Sequence, residues 1–243
     1  MEKRNLDNPI EIVKNIFWVG VPANNSALHC NPYLLVCGEE AILFDPGSIL
    51  HFPIVMRKIM EVVDPGIISA LVVHHQDPDV CGSLAVVEEV INSENLKIIA
   101  HTNTIRLLHH YGFKSKYHPV EDNEYSFTLK SGRRLEFIFT PYLHSPGAII
   151  TYDRKTGTLF TSDIFGAIFD NWSIFPGEGL WDGMAKWHQI YMPSNRILRR
   201  CLEDLRKLEI NRILPQHGCI LEGANVNKAF DLLMDLKCGI DLA

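Results

Sequence analysis

One stretch constrains the fold more than any other: Leu71 to Ser83, LVVHHQDPDVCGS. An apolar, β-branched run ends abruptly in two histidines, and two aspartates follow at once. A short run of that kind reads as a buried strand, so its polar end belongs where strand tips emerge from a core. His75, Asp77 and Asp79 stand at i, i+2 and i+4, and in extended chain that spacing turns all three side chains the same way. Pro78 supports the extended reading, because it pushes the residue before it, Asp77, toward β or polyproline geometry. An imidazole and two carboxylates converging on one point repel and desolvate one another unless a cation lies among them. A polar loop with a solvated acid pair is the bland alternative, and for a lone HxD it is the better one. The second acid at a strand tip shifts the reading to metal binding.

Three further strand ends repeat the setting. RRLEFIFTPYLHSPG carries His144 after an apolar strand and before a Ser-Pro-Gly turn, TGTLFTSDIFG carries Asp163, and RILPQHGCI carries His217 beside a glycine. Singly, each reads better as a hydrogen-bonded structural residue. Four separate strand ends that terminate in His or Asp beside Gly or Pro are not explained that way.

The elements around them are short. EIVKNIFWVG, PYLLVCG and AILFDPG read as early strands, followed by a helix over Phe52 to Val63 that the Asp64-Pro65-Gly66 breaker stops. IISALVV is a strand, Ser83 to Val90 a helix, KIIAH a strand, and Asn103 to Tyr111 a helix. Two hairpins follow, turning at Ser131-Gly132 and near Gly157. A helix over Ser194 to Leu208, the strand NRILP and a helix over Val226 to Leu236 close the chain. Strands cluster early and again in the middle, with helices between and after, so two mixed sheets packed face to face with helices outside fit the pattern. No linker, repeat or low-complexity tract divides residues 1–243, which reads as a single domain.

Composition excludes several functions. A formal charge of −6 leaves no basic face for nucleic acid. No apolar run approaches the roughly 20 residues that cross a bilayer, and the acidic N-terminus lacks the apolar core of an export signal. The six cysteines form no CxxC pair, which suits free thiols in a reducing cytoplasm.

The order HxDxD, LHSPG, LFTSDIFG and PQHG, with AILFDPG and its Asp45 ahead of them, resembles the metallo-β-lactamase superfamily over nearly the whole chain. Within it the sequence is most similar to the diiron domain of flavodiiron proteins. The resemblance implies an αββα sandwich, α/β in class, with two iron ions and a bridging oxygen species at one edge. It gives one iron to His75, Asp77, His144 and Asp163 and the other to Asp79, Asp163 and His217, with Asp163 bridging. Two departures stand out. Asp77 replaces the usual Glu, and Val80 stands where a His often follows the second acid, which points to an open position at the second metal. Three imidazoles with three carboxylates make a harder donor set than the His-rich sites of the zinc hydrolases, which favours iron, with zinc or manganese as substitutes.

No phosphate-binding loop follows a strand, so no flavin site is visible and the iron pair has no electron donor of its own. The resulting expectation is a cytoplasmic, homodimeric protein that binds dioxygen as a peroxo adduct and senses oxygen, with a protein partner for signalling. The alternatives are an O2 or NO reductase fed by a separate flavoprotein or rubredoxin, and a metal-dependent hydrolase. No catalytic residue beyond the ligands is assigned. His29, Trp187, His188 and Tyr191 are candidates for the shell around the metals, and Trp172, Phe175 and Trp181 for an aromatic lid. His74 should face away from the metals, and Cys81 reads as buried and inert.

Overall fold

The computed structural model describes residues 5–22, 29–170 and 172–243. The first four residues, part of the acidic N-terminal stretch, lie outside the described residues. The chain forms two compact units, one of residues up to Pro22 plus Cys30–Arg134, the other of His29 plus Leu135–Ala243.

The first unit is built on a mixed sheet in the order β1-β2-β3-β4-β5-β6-β7. Its strands are β1 (Ile10–Val13), β2 (Ile16–Trp18), β3 (Tyr33–Cys37), β4 (Glu40–Phe44), β5 (Ile68–Val72), β6 (Lys97–Ala100) and β7 (Lys116–Pro119). The first four pair antiparallel and the last four parallel. The single run EIVKNIFWVG of the sequence reading is thus two strands, broken at Asn15, which takes a positive φ of 68°. The helices α1 (Phe52–Val62), α2 (Pro78–Cys81), α3 (Leu84–Ile91) and α4 (Thr102–Leu108) fill the crossovers that parallel strands require. Val55, Met56 and Ile59 of α1 and Leu84 and Val87 of α3 pack with Leu43, Leu71 and Ile98 in one apolar core. Ile42 and Phe44 alternate to the opposite face of β4 and are buried too, which explains why such strands read as continuous apolar runs. The most deeply buried charge described in this unit is a lysine. Lys58 is fully buried, donates to the carbonyls of Leu6 and Gly20 and sits 4.0 Å over the Trp18 ring, and burial pushes its pKa down to about 8. Strand β8 (Ser126–Thr128) precedes the Ser131-Gly132 turn, where the Gly132 amide donates to the Leu129 carbonyl.

The second unit holds a second mixed sheet, in which β9 (Arg134–Phe139), β10 (Ile149–Asp153) and β11 (Thr158–Ser162) run antiparallel. Strand β12 (Arg212–Pro215) lies parallel to β11, and β13 (Leu221–Glu222) closes on β12. Helices α5 (Leu180–Tyr191), α6 (Asn195–Leu205) and α7 (Ala224–Met234) pack on it. Leu198, Leu202 and Leu205 of α6 and Val226, Phe230 and Leu233 of α7, at helical spacing, share a core with Ile150, Leu159 and Ile213.

Candidate metal centre

In the first unit the predicted residues follow β5. His74 and His75 are buried in a bend, and the chain stays extended through Asp77, with φ −69° and ψ 148°. It does not stay extended to Asp79, as the sequence reading had it. Pro78, with its preset φ and no N–H to satisfy, occupies the first position of α2, so Asp79 lies in a helical first turn. The His75 Nε2 and an Asp77 carboxylate oxygen stand 3.7 Å apart.

Three neighbours fix this loop. The Asp45 carboxylate clasps His74, accepting from its backbone amide at 3.0 Å and lying 2.6 Å from Nδ1. Tyr111 donates its hydroxyl to the Gln76 carbonyl at 3.0 Å. The Cys81 thiol donates to the carbonyls of Gln76 and Asp77, and burial pushes its pKa up to about 12, so it stays a neutral thiol. Cys81 lies within α2.

The sequence reading set Val80 beside an open coordination position. Its side chain belongs instead to the apolar core with Leu84 and Val87 and is wholly buried. Val80→His is therefore expected to lose about 2–4 kcal/mol of stability by urea denaturation, from overpacking and a buried polar ring. A loss under about 0.5 kcal/mol, the ordinary range for a surface site, would place the side chain elsewhere.

In the second unit the parallel pairing of β11 with β12 puts two of the predicted residues side by side. Ser162 is opposite Pro215, and the Gln216 amide donates to the Ser162 carbonyl at 2.7 Å, so Asp163 and His217 leave neighbouring strands together. His144 comes from the turn between β9 and β10. Its Nε2 lies 2.9 Å from Oδ2 of Asp163, while the Nε2 of His217 lies 3.5 Å from Oδ1. Each imidazole thus faces a different oxygen of one buried carboxylate.

The tautomer of His217 follows from its other nitrogen, since Nδ1–H donates to the His29 carbonyl. That turns the Nε2 lone pair toward a carboxylate oxygen, an arrangement that repels unless a proton or a metal ion lies between. The donor set of this unit therefore fits a bridged pair of cations. His29 is tied in turn to the loop after His217, its Nε2 lying 2.9 Å from the amide nitrogen and 3.0 Å from the carbonyl oxygen of Gly218. Trp172 packs on the His29 ring at 4.3 Å and donates to that same carbonyl at 2.8 Å.

The candidates Trp187, His188 and Tyr191 lie on a helix that the sequence analysis does not predict, α5. The signal was present: Leu180, Met184, Trp187, His188 and Tyr191 repeat at helical spacing. Trp187 donates Nε1–H to the Asp163 carbonyl at 2.9 Å, its ring lies 4.8 Å from that of His217, and Tyr191 stacks on it at 4.0 Å. Tyr191 reaches to 5.9 Å from the His144 ring. His188 is fully buried, and burial pushes its pKa down to about 4, so the ring is neutral near pH 7. Trp181 is no lid. It lies on α5, half-buried against the core of the second unit, with Lys228 of α7 4.3 Å over its ring.

Comparison with known proteins bears on this arrangement. A family described as "ODP family beta lactamase" matches residues 28–218. The solved structure "Peroxy diiron species of chemotaxis sensor ODP" is 29% identical, with a TM-score of 0.83 over 96% of this chain and 97% of that one. It has the same fold, two mixed sheets flanked by helices in the α/β metallo-β-lactamase-like arrangement. Among curated relatives, "Putative diflavin flavoprotein A 1" of Nostoc sp. is 28% identical over 77% of this chain and 33% of the relative. "Nitric oxide reductase" of Moorella thermoacetica is 26% identical over 88% and 58%. The chain thus spans a third to three-fifths of the length of these two relatives.

Proposed function

The chain belongs to the ODP family beta lactamases, and we propose that it is a two-iron protein that binds dioxygen and works as an oxygen sensor. The residues that would hold the irons are His75, Asp77, Asp79, His144, Asp163 and His217, with Asp163 as the ligand that both would share. The observation that carries this reading is the Asp163 carboxylate, with His144 and His217 on separate oxygens. The likeness to a chemotaxis sensor caught as a peroxy diiron species supports the ligand and the role.

Bound there, a pair of ferrous ions would supply two electrons to dioxygen. What the protein does is hold the donors. The His29 carbonyl fixes His217 in the tautomer that offers Nε2, as the second hydrogen bond of a ligating histidine does. Trp187 packs an apolar wall beside the buried His217 ring, and Tyr191, stacked on Trp187, reaches toward His144. The carboxylates counter the high charge of oxidised iron better than additional imidazoles would, which argues against a zinc hydrolase. All six cysteines are free, in support of a reducing, cytoplasmic setting. No helix among the described residues is long and apolar enough to cross a membrane. Exposed Leu50, Met60 and Val90 supply apolar surface for a homodimer or a signalling partner.

A second reading, an O2 or NO reductase fed by a separate flavoprotein or rubredoxin, is favoured by the relative named as a nitric oxide reductase. One experiment separates the two. Anaerobic, iron-loaded protein mixed with oxygen is expected to develop a visible absorption that lasts for minutes. Oxygen consumption is expected to stay slow even with excess reductase. Sustained turnover of oxygen or NO at ~1 per second or faster, the low end of ordinary enzyme rates, overturns the sensor reading in favour of the reductase.

A further inference from the structure

The proposed bridge sits in a turn that the backbone does not favour by itself. Ser162, directly before Asp163, has φ 50°, and Phe165, two residues after it, has φ 65°. Neither is glycine, and both occupy the left-handed region that L side chains rarely adopt. Such conformations persist where the surroundings over-determine them. On one side the turn is tied to the sheet, through the Gln216 amide and the Ser162 carbonyl. On the other side two consecutive residues of α5 grip it. Trp187 donates to the Asp163 carbonyl at 2.9 Å, and Nε2 of His188 accepts the Phe165 amide at 3.0 Å.

Consecutive helical positions point about 100° apart, a consequence of 3.6 residues per turn, so the two side chains straddle the turn. The approach is close: a Cβ added to Gly166 would lie 2.8 Å from the Trp187 Nε1. His188 is committed entirely to this task. Its Nδ1–H donates to the Met184 carbonyl at 2.8 Å, one turn back on α5, which leaves Nε2 as the acceptor. A fully buried imidazole that spends its one lone pair on a backbone amide is an expensive way to fill space, since an apolar side chain would do that alone. What it provides is direction for the Phe165 amide, and through the turn for the Asp163 carboxylate.

We infer that His188 is a positioning residue that locks the Asp163 turn so that the two carboxylate oxygens face His144 and His217. The inference rests on the two-metal reading of the site but not on the identity of the metal or on reaction with oxygen. It is tested by titrating metal-free protein with cobalt(II), whose visible absorption reports coordination geometry. In His188→Gln the amide oxygen replaces Nε2 as acceptor, and both cobalt affinities are expected within about threefold of wild type. His188→Leu fills the space without an acceptor; His188→Asn keeps a group at Nδ1 but none at Nε2, and takes its place if the leucine variant does not fold. Either is expected to weaken cobalt binding at least tenfold, as loss of an outer partner of a metal ligand does, and to shift the visible bands. Leu202→Ala, a core cavity in α6, serves as a control that lowers stability without removing a hydrogen bond to the Asp163 turn. Wild-type affinity and bands in both acceptor-less variants overturn the inference, as does an equal loss in Leu202→Ala. A wild-type chain that takes up no cobalt overturns this inference together with the metal reading. One that takes up cobalt in the expected pattern, yet turns over oxygen rapidly in the iron form, overturns only the sensor function.

Discussion

Replacing Asp163 with alanine is expected to empty both iron positions at once, taking elemental iron from two per chain to well below one. The argument lies in the two distances that separate its oxygens, 2.9 Å from Oδ2 to His144 and 3.5 Å from Oδ1 to His217. In the proposed ligation a carboxylate with one imidazole on each oxygen would be shared, so removing it would subtract a ligand and a negative charge from both ions together. His217→Ala removes a neutral ligand from one side only and is expected to leave one iron per chain. Asp163→Asn should fall between, because the amide keeps one acceptor oxygen and loses the charge. The three variants, expressed with ample iron and assayed side by side, therefore form a graded series. A single iron retained in Asp163→Ala at wild-type affinity would show that Asp163 serves one ion, and the bridge would have to be sought elsewhere.

Gly218→Ala is expected to lower stability by about 3 kcal/mol or more. Gly218 has φ +88°, where an L side chain is strained by roughly 1–2 kcal/mol. A Cβ there would also lie 2.9 Å from both the backbone nitrogen and the Cβ of Ala167, inside the turn that follows Asp163. Backbone cannot swing aside as a lysine end does, so the overlap adds about 1–3 kcal/mol. The same residue carries the contacts to His29 and Trp172, so relief of the clash would displace His217 as well. Urea denaturation of the metal-free protein should show the stability loss and cobalt titration a weakened site. A loss below ~1 kcal/mol would mean that the turn after Asp163 yields easily, against the tight packing described for it.

The parts of this molecule that could be read from its residues share one property: the signal and its cause are local. A run such as IISALVV is a strand because it is short, apolar and β-branched, and His75, Asp163 and His217 announce themselves as polar residues where such runs stop. Helices α1 and α6 betray themselves by the spacing of their apolar residues. Strand β7 was missed because Lys116, Tyr117, His118 and Pro119 carry no apolar run, and β13 because two residues make no pattern. Helix α2 was hidden by the reading of Pro78 as an extender, when a proline at a first helical position starts a helix equally well. Helix α5 was hidden by Gly177, Gly179 and Gly183, which read as loop. Trp181 looked like a lid because it is near Asp163 in sequence, and only the packing of α5 on α7 turns it the other way. Nothing local marks His188 either. A histidine used as the acceptor for one backbone amide looks, as a letter, like any other histidine.

The clasp of Asp45 on His74 has a consequence for how this chain can change over generations. The loop that carries His75, Asp77 and Asp79 takes its register from β4, its neighbour in the sheet, and from the three residues that follow it, Asp45 to Gly47, the Gly47 amide donating to the Val80 carbonyl. The rest of the segment that joins β4 to β5, residues 48–67, winds through α1 with Leu50 and Met60 open to solvent. Mutations that lengthen its turns or recolour its outer surface leave the geometry of the ligands untouched, so long as Asp45 and the pairing of Phe44 with Val72 survive. Lineages can therefore remodel this face toward new partners while inheriting the chemistry unaltered.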